Sequence, residues 1–201
     1  MRIQPLLMLR RQPSALKQRT NLSICSPSEL LLLENMTLDD FETLLGAKLP
    51  DDYTEFLKTH HESQLPCTKL FPFTEKTPIG EKGVLDELLT IDDLGSDRPV
   101  WIEDVGMVII GDNLFGYPTC LCLKAPRVGQ IFYFDIQQRC FWEDEQFYRM
   151  FENLADGLKD YLRMRSEGVL ARKEEGLESF YHVANSFSEF QGLLQDEEIE
   201  E

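Results

Sequence analysis

Residues 37–57, which read TLDDFETLLGAKLPDDYTEFL, constrain the fold of this chain more than any other stretch. Thr37 is a predicted N-cap, and Gly46 can adopt the left-handed conformation that ends a helix. Pro50 suits the start of a second helix, where a missing N–H costs nothing. The first helix has an apolar face made of Leu38, Phe41, Leu44 and Leu45. The second has a stripe made of Leu49, Tyr53, Phe56 and Leu57. The pattern predicts a helical hairpin.

The remaining sequence predicts an α+β fold with an N-terminal helical hairpin, a central, mainly antiparallel sheet and a C-terminal amphipathic helix. Turn residues separate five short strand candidates, at 68–73, 100–102, 107–110, 119–123 and 130–135. No helical pattern lies between these strands, which favours antiparallel pairing. From residue 143 the apolar period changes to three and four, predicting a helix of about five to six turns. Its apolar positions are Phe147, Phe151, Leu154, Leu158, Tyr161 and Leu162.

Three regions follow from these patterns. Residues 1–25 are predicted to be a basic, flexible arm, residues 26–166 a single domain, and residues 167–201 a helical extension with an acidic tail. A last helix is expected between Leu177 and Phe187, and five of the final seven residues are acidic. The arm remains open to two other interpretations, an organelle presequence or residues ahead of an unused start at Met36.

Net charge is the second constraint on function. The chain carries −16, yet its first 20 residues hold five bases and no acid, so the remainder carries −21. Such a surface repels nucleic-acid phosphates and anionic membranes and accelerates encounter with basic partners. Acidity that serves solubility alone is the competing interpretation. No apolar run approaches the length of a membrane-spanning helix, and we expect a cytoplasmic protein.

The five cysteines are odd in number and lack the spacing of a disulfide framework, which fits a reducing compartment. Cys120 and Cys122 lie in an apolar run in which strand alternation puts both sulfur atoms on one face and Leu121 and Leu123 on the other. Both faces of this strand are predicted to be buried. Zinc would need two more donors, and no Cys-x-x-Cys pair or suitably spaced histidine supplies them, so we predict no metal.

No motif in the sequence announces catalysis or a cofactor. His60 and His61 fit a helix end, and the segment from Gly111 to Gly116 lacks a phosphate-loop pattern and predicts a turn. We therefore predict a non-enzyme without a cofactor. The best candidate for a binding surface is an acidic edge between residues 84 and 104, where seven acids face one arginine and a loop is expected. These acids are Asp86, Glu87, Asp92, Asp93, Asp97, Glu103 and Asp104.

The hairpin run LGAKLPDDYTEFLKTHHE resembles the signature of the SUKH superfamily, which includes fungal cell-wall-synthesis regulators and many bacterial immunity proteins. The later runs VIIGDNLFGYPTCLCL and VGQIFYFD are similar to its following strands, so the resemblance spans about residues 36–165. It implies a non-catalytic α+β domain. Family members often carry Asn-Gly-Gly after the second helix, whereas this chain has His60-His61-Glu62, so we expect His60 or His61 to take a strained conformation.

The resemblance implies an immunity protein that binds and neutralises a cognate toxin, often a nuclease, and the acid excess predicts a basic toxin domain as partner. The alternative is an intracellular regulatory scaffold like the fungal members, with the two charged ends recruiting other factors. The resemblance transfers no binding residue to this chain. The seven acids of the predicted edge are chosen on charge alone.

Overall fold

The computed structural model describes residues 37–60, 64–94, 101–141 and 156–197. Five helices lie within these ranges: α1 Leu38–Leu45, α2 Asp51–Thr59, the single turn α3 Ile91–Leu94, α4 Asp156–Ser166 and α5 Phe187–Leu193. The strands are β1 Gln64–Thr77, β2 Gly80–Leu88, β3 Trp101–Ile102, β4 Met107–Asp112, β5 Thr119–Cys122, β6 Ile131–Phe134, β7 Phe180–Ala184 and β8 Gln195–Asp196. The predicted arm at 1–25 and the first part of the helix predicted from residue 143 lie outside the described residues.

The helical hairpin is confirmed. A capping box joins Thr37 and Asp40 at the start of α1, and Gly46 ends that helix with φ of +63°. Most of the predicted apolar face packs into the core, where Phe41, Leu45, Leu49, Tyr53 and Leu57 are buried. The assignment of Leu44 to that face is wrong, because its side chain is 68% exposed.

The chain leaves the hairpin without backbone strain at His60. His60 follows α2 with φ of −99°, an ordinary extended conformation, and its backbone N–H donates to the carbonyl of Phe56. Its ring stacks on the ring of Phe56, with the two centroids 4.4 Å apart. The strained conformation expected for His60 is therefore wrong, and His61 lies outside the described residues.

Within the described ranges, eight strands form one sheet in the order β7-β6-β5-β4-β2-β1-β8, and β3 pairs with β4 off this path. Every pairing is antiparallel, as predicted. The prediction that Asp86 and Glu87 lie in a loop is wrong, because both residues lie in β2. Gly83 and the charged residues around it interrupt the alternation of apolar and polar residues that is typical of a strand, so the sequence pattern does not indicate β2.

Both faces of the sheet are covered. One face packs against α1, α2 and α5 through the main core, which includes Leu121, Leu123 and Phe190. The other face carries a smaller core that contains Cys120 and Cys122. The predicted alternation in β5 is therefore confirmed, and all four of its residues are buried.

The C-terminal part of the described chain belongs to this sheet. The predicted helix between Leu177 and Phe187 is wrong, because residues Phe180–Ala184 form β7, which pairs with β6. The predicted amphipathic helix is present as α4, where Tyr161 and Leu162 pack with Leu158 and Leu170. The chain then forms α5, and β8 pairs with β1. The sheet and its main core thus continue past residue 166.

The sheet curls so that the end of β1 approaches β7. Oγ1 of Thr74 donates to the carbonyl of His182 at 3.0 Å, and Oε1 of Glu75 accepts from the backbone nitrogen of His182 at 2.8 Å. Glu75 Oε1 also lies 2.8 Å from Nζ of Lys173. Side chains of β1 thus satisfy backbone groups of β7 that a neighbouring strand would otherwise bind.

Candidate protein-binding surface

Asp86 is the predicted acidic residue with the best-defined surroundings. Its Oδ1 accepts from Oγ1 of Thr68 in β1 at 2.6 Å, and its Oδ2 accepts from the backbone nitrogen of Leu114 at 2.8 Å. Leu114 lies in the turn between β4 and β5. One carboxylate therefore binds two neighbouring strands and this turn together, and its negative charge lies at the base of the turn.

Two further acids lie next to Asp86. Glu87 is paired with Asp112 across β2 and β4, and the following pair brings Leu88 opposite Gly111. A Cβ atom at Gly111 would lie 2.4 Å from the carbonyl oxygen of Glu87, so only glycine fits this close approach of the strands. Strand pairing therefore places Asp112 opposite Glu87 at the end of β4, and Asp86 is the residue that precedes Glu87 in β2.

The other predicted acids lie elsewhere. Asp92 is exposed on α3, and Asp93, the third residue of that helix, accepts from the backbone nitrogen and hydroxyl of Thr90 at 2.8 and 2.7 Å. Glu103 and Asp104 are exposed in a 3₁₀ turn just before β4. They are thus separated from Asp112 by the length of β4, roughly 17 Å. Asp97 lies outside the described residues. Asp86 and Glu87 are consecutive residues of β2, and the structure keeps Glu103 and Asp104 apart from them.

The turn between β4 and β5 is held by the buried side chain of Asn113. Its Oδ1 accepts from the backbone nitrogens of Phe115 and Tyr117 at 3.0 and 3.1 Å, and its Nδ2 donates to the hydroxyl of Tyr133 at 3.0 Å. Gly116 closes the turn with φ of +74°, a conformation that favours glycine. The turn predicted for this segment is therefore confirmed, with its backbone fixed by side chains.

Leu114 and Phe115 project from this turn into solvent. Their side chains are 84% and 79% exposed, the two largest values among the exposed large apolar residues in the described ranges. Single exposed apolar residues are ordinary, but two adjacent ones on a fixed turn form a protruding apolar surface. The prediction from sequence missed this surface because it considered charge alone. The signal was present as a Leu-Phe pair between the turn residues Asn113 and Gly116.

A buried ion pair supports the same turn from below. The carboxylate of Asp135 is fully buried, accepts from Nη1 of Arg139 at 2.7 Å, and also accepts from the backbone nitrogen of Arg139 at 2.9 Å. Arg139 in turn donates from Nη2 to the hydroxyl of Tyr117 at 3.0 Å, and the ring of Tyr117 stacks on Tyr133. Burial raises the pKa of Asp135, and the hydrogen bonds with Arg139 oppose that rise. These contacts of Arg139 and Tyr133 with Tyr117 fix the position of the turn that carries Leu114 and Phe115.

Among the described residues, no group of three or more His, Cys, Asp or Glu side chains could hold a metal ion. Burial raises the pKa of Cys120 and of Cys122, which disfavours the reactive thiolate at neutral pH. No helix in the described ranges is long and apolar enough to cross a membrane. A fixed apolar turn beside carboxylates is suited to binding a protein surface.

The fold and this turn define an α+β domain with a candidate protein-binding surface. The chain belongs to the SMI1 / KNR4 family (SUKH-1), whose family model matches residues 34–164. The SUKH resemblance is therefore confirmed, and membership fits a role in immunity or regulation through protein partners. Comparisons with curated proteins and with solved structures gave no match.

Proposed function

We propose that this protein is an immunity protein that binds a basic toxin domain and neutralises it without catalysis. The observation that carries the proposal is the fixed turn of Leu114 and Phe115, whose base includes the carboxylate of Asp86. We call this surface the apolar turn. The family and this turn support binding to a protein, and the net charge of −16 favours a basic one. A cytoplasmic location is part of the proposal.

The apolar turn has the physical properties of an anchor for binding. Exposed Leu and Phe side chains gain free energy when a partner's pocket covers them. Because hydrogen bonds of Asn113 and Asp86 already fix the turn, little conformational entropy is lost when it binds. Apolar anchors of this kind supply most of the affinity, while charges around them set the rate and the choice of partner.

The acid excess defines the chemistry of the partner. A nuclease toxin carries a basic groove for phosphates, and an acidic protein is attracted to such a groove and covers it. The attraction raises the association rate at low salt and weakens as salt screens it. A second copy of this chain is a poor partner, since two surfaces with a net charge of −16 repel each other.

Co-expression with the product of the adjacent gene tests the proposal. We expect that product to arrest growth when expressed alone, and growth to recover when this chain is co-expressed and co-purifies with it at a one-to-one ratio. A neighbour that is harmless, or one that is toxic but neither bound nor neutralised, would contradict the proposal. An unrelated acidic protein of similar size serves as the control for charge.

Charge reversal then maps the contact surface. The predicted acidic edge separates into groups, so Asp92→Lys tests α3 and the pair Glu103→Lys with Asp104→Lys tests the turn before β4. Neither change removes a hydrogen bond that fixes the apolar turn. The group that faces the toxin is the one whose reversal slows association and flattens its salt dependence. Unchanged kinetics would remove that group from the interface.

The alternative function is a regulatory scaffold similar to the fungal regulators named in this family. The opposite charges of the two ends of the chain favour it, since the first 20 residues carry five bases and the last seven carry five acids. Many weak partners, each lost on deletion of one end, would favour the scaffold. One tight partner that binds without either end would favour immunity.

A further inference from the structure

A pocket lies between the end of β1, the helix α4 and the segment 169–178 that follows this helix. Its volume is about 320 Å³, within the range of small-molecule sites. The pocket is separate from the apolar turn, since none of its lining residues belongs to residues 113–117.

The charges around this pocket are opposite in sign to those of the whole chain. Four cationic side chains line it, and two carboxylates accompany them, so the lining carries +2 in a chain of −16. The cations are Lys76, Arg165, Arg172 and Lys173, and the acids are Glu75 and Glu178. A cluster of bases on so acidic a protein produces a local positive potential that attracts anions.

An ion pair between Lys173 and Glu75 occupies the inner part of the pocket and stabilises the fold. Lys173 donates to Oε1 of Glu75 at 2.8 Å and to the carbonyl of Phe180, and its Nζ lies 4.0 Å from the centre of the Tyr181 ring. Burial lowers the pKa of Lys173, and the bond with Glu75 opposes that effect. Lys173 and Glu75 thus hold β7 in place, and their charges balance each other.

The outer part of the pocket leaves cations for a ligand. Lys76 and Arg172 make no ion pair with any residue in the described ranges. Arg165 donates from Nη1 to the backbone carbonyls of Arg139 and Cys140, which fixes its guanidinium on the pocket wall. An anion in the outer part of the pocket would therefore approach Lys76, Arg172 and Arg165, which are separate from the pair of Lys173 and Glu75.

One part of the pocket wall is apolar. Val169 is 61% exposed, and Leu170, Ala171 and the ring of Tyr161 line the pocket with it. Inorganic phosphate would leave this wall uncovered, whereas an organic anion with an apolar body would cover it. The volume, the charges and the wall together favour a ligand with one charged end and one apolar end.

We propose that this pocket binds a small organic carboxylate, with the carboxylate directed to Arg172 and Lys76 and the apolar body against Val169 and Ala171. This binding activity is additional to toxin neutralisation and does not depend on it. The carboxylate is that of a free metabolite, and the C-terminal carboxylate of a peptide has the same chemistry.

Titration of the ¹⁵N-labelled full chain with three probes tests the proposal. Phenylacetate has both parts of the proposed ligand, phenylacetamide has the apolar part without the charge, and inorganic phosphate has the charge alone. We expect phenylacetate to shift amide signals of residues 169–173, with a Kd on the order of a millimolar and about tenfold below that of either control. Equal binding of phenylacetate and phenylacetamide, or the absence of shifts at these residues, would overturn the proposal.

Two variants test the assignment of residues. Lys76→Met together with Arg172→Met removes the charges and keeps the apolar stems, and Ala171→Phe fills the exposed rim of the pocket. Both should weaken phenylacetate binding at least about fivefold. Lys58→Met, which removes an exposed lysine on α2, is the matched control and should leave binding unchanged. Equal binding by all three variants would contradict the assignment.

The tripeptide Gly-Gly-Phe distinguishes the two sources of carboxylate. Tighter binding of phenylacetate supports a free metabolite. Tighter binding of the tripeptide with its free C-terminus, but not of its C-terminal amide, would overturn the free-metabolite assignment in favour of a chain end. Toxin neutralisation is measured by growth, so failure of either proposal leaves the other unaffected.

Discussion

Asp86 and Leu114 are joined by a 2.8 Å hydrogen bond in which the backbone nitrogen of Leu114 donates to Oδ2 of the carboxylate. The same carboxylate accepts from Thr68, so strand β1, strand β2 and the apolar turn are linked through one side chain. An acid chosen from sequence as a contact for a partner therefore also positions two exposed apolar residues. Its charge and its hydrogen bonds have separate effects, which substitutions can distinguish.

The double substitution Leu114→Ser and Phe115→Ser should abolish tight partner binding while leaving the fold intact. Both side chains are exposed, so the free energy of unfolding should change by less than about 0.5 kcal/mol. Loss of two anchors should weaken binding by at least about 2 kcal/mol, roughly thirtyfold in Kd. Urea unfolding and calorimetric titration of the co-purified toxin measure the two effects.

Leu44→Ser is the matched control for that double substitution. Leu44 is also a largely exposed apolar residue, at 68%, but lies on α1, outside the apolar turn. Its replacement should leave the Kd unchanged. A similar loss of binding in both proteins would mean that general surface hydrophobicity, and not the apolar turn, determines affinity.

Asn113→Ala should destabilise the protein. Asn113 is 5% exposed and makes three side-chain hydrogen bonds, so its loss leaves backbone nitrogens of the turn and the hydroxyl of Tyr133 without this partner. We expect a loss of about 1–3 kcal/mol in urea unfolding. Asn113→Asp retains an acceptor for the backbone and should lose less, and an equal loss would contradict a stabilising role of that acceptor.

Asp135→Asn should destabilise the protein by on the order of 3 kcal/mol, because it removes one partner of a buried ion pair. The carboxylate accepts from the side chain and the backbone of Arg139 and is fully buried. Glu167→Gln breaks the exposed pair with Arg163 and should cost no more than about 0.5 kcal/mol. Comparable losses in urea unfolding would show that burial does not determine the difference.

Gly83→Ala should destabilise the sheet through a steric clash. A Cβ atom at this position would lie 2.4 Å from the ring of Phe71, which is fully buried. Overpacking of this kind costs roughly 1–3 kcal/mol, and the second substitution Phe71→Leu should recover part of it. Gly192→Ala in α5 meets no atom within 4 Å and should stabilise the protein by about 0.5–1 kcal/mol. Thermal unfolding of both variants gives the comparison.

The free energy of unfolding should decrease as the pH falls below 6.5, the ordinary pKa of histidine. His182 should account for part of the decrease. Burial is the main cause that lowers the pKa of His182 below 6.5, although Glu75 and Glu189 oppose it. The unfolded chain therefore binds a proton at a higher pH than the folded chain, so folding weakens as the pH falls through 6.5. Carboxylates with lowered pKa values, such as Glu42 and Asp196, lose their contribution only below their ordinary values of 4.5 and 3.8.

Urea unfolding at pH 7.5 and pH 5.5 isolates that contribution. His182→Gln should reduce the difference between the free energies of unfolding at the two pH values. An NMR titration of His182 in the wild-type chain gives a direct check that does not depend on the variant folding. A pKa above 6.5 would contradict the assignment.

Local patterns predicted the parts of the fold that local chemistry determines. Thr37, Gly46 and Pro50 are sufficient to place α1 and α2, because caps and backbone preferences act within a few residues. The alternation of sulfur and leucine in β5 was likewise readable from the sequence. These elements needed no information about distant parts of the chain.

The errors arose where distant contacts override local patterns. Phe180–Ala184 has buried residues on both faces, so it lacks the alternation that marks a half-buried strand and resembles a helix. β2 was missed because Gly83 is required by the ring of Phe71, a residue of another strand. The Leu-Phe pair between Asn113 and Gly116 indicates an apolar turn in the sequence, whereas the extent of its exposure depends on the fold.

The pairing of β1 with β8 imposes an order of assembly on the chain. Lys69 and Leu70 pair with Asp196 and Gln195, which are more than a hundred residues later in the sequence. When β1 and β2 have left the ribosome, β8 has not yet been synthesised. The backbone groups of β1 that pair with β8 therefore stay unpaired until residue 196 has emerged. During that interval the nascent protein presents an unpaired strand to other chains. The two-residue strand β8 therefore covers residues 69 and 70 of this edge only after the rest of the sheet has been made.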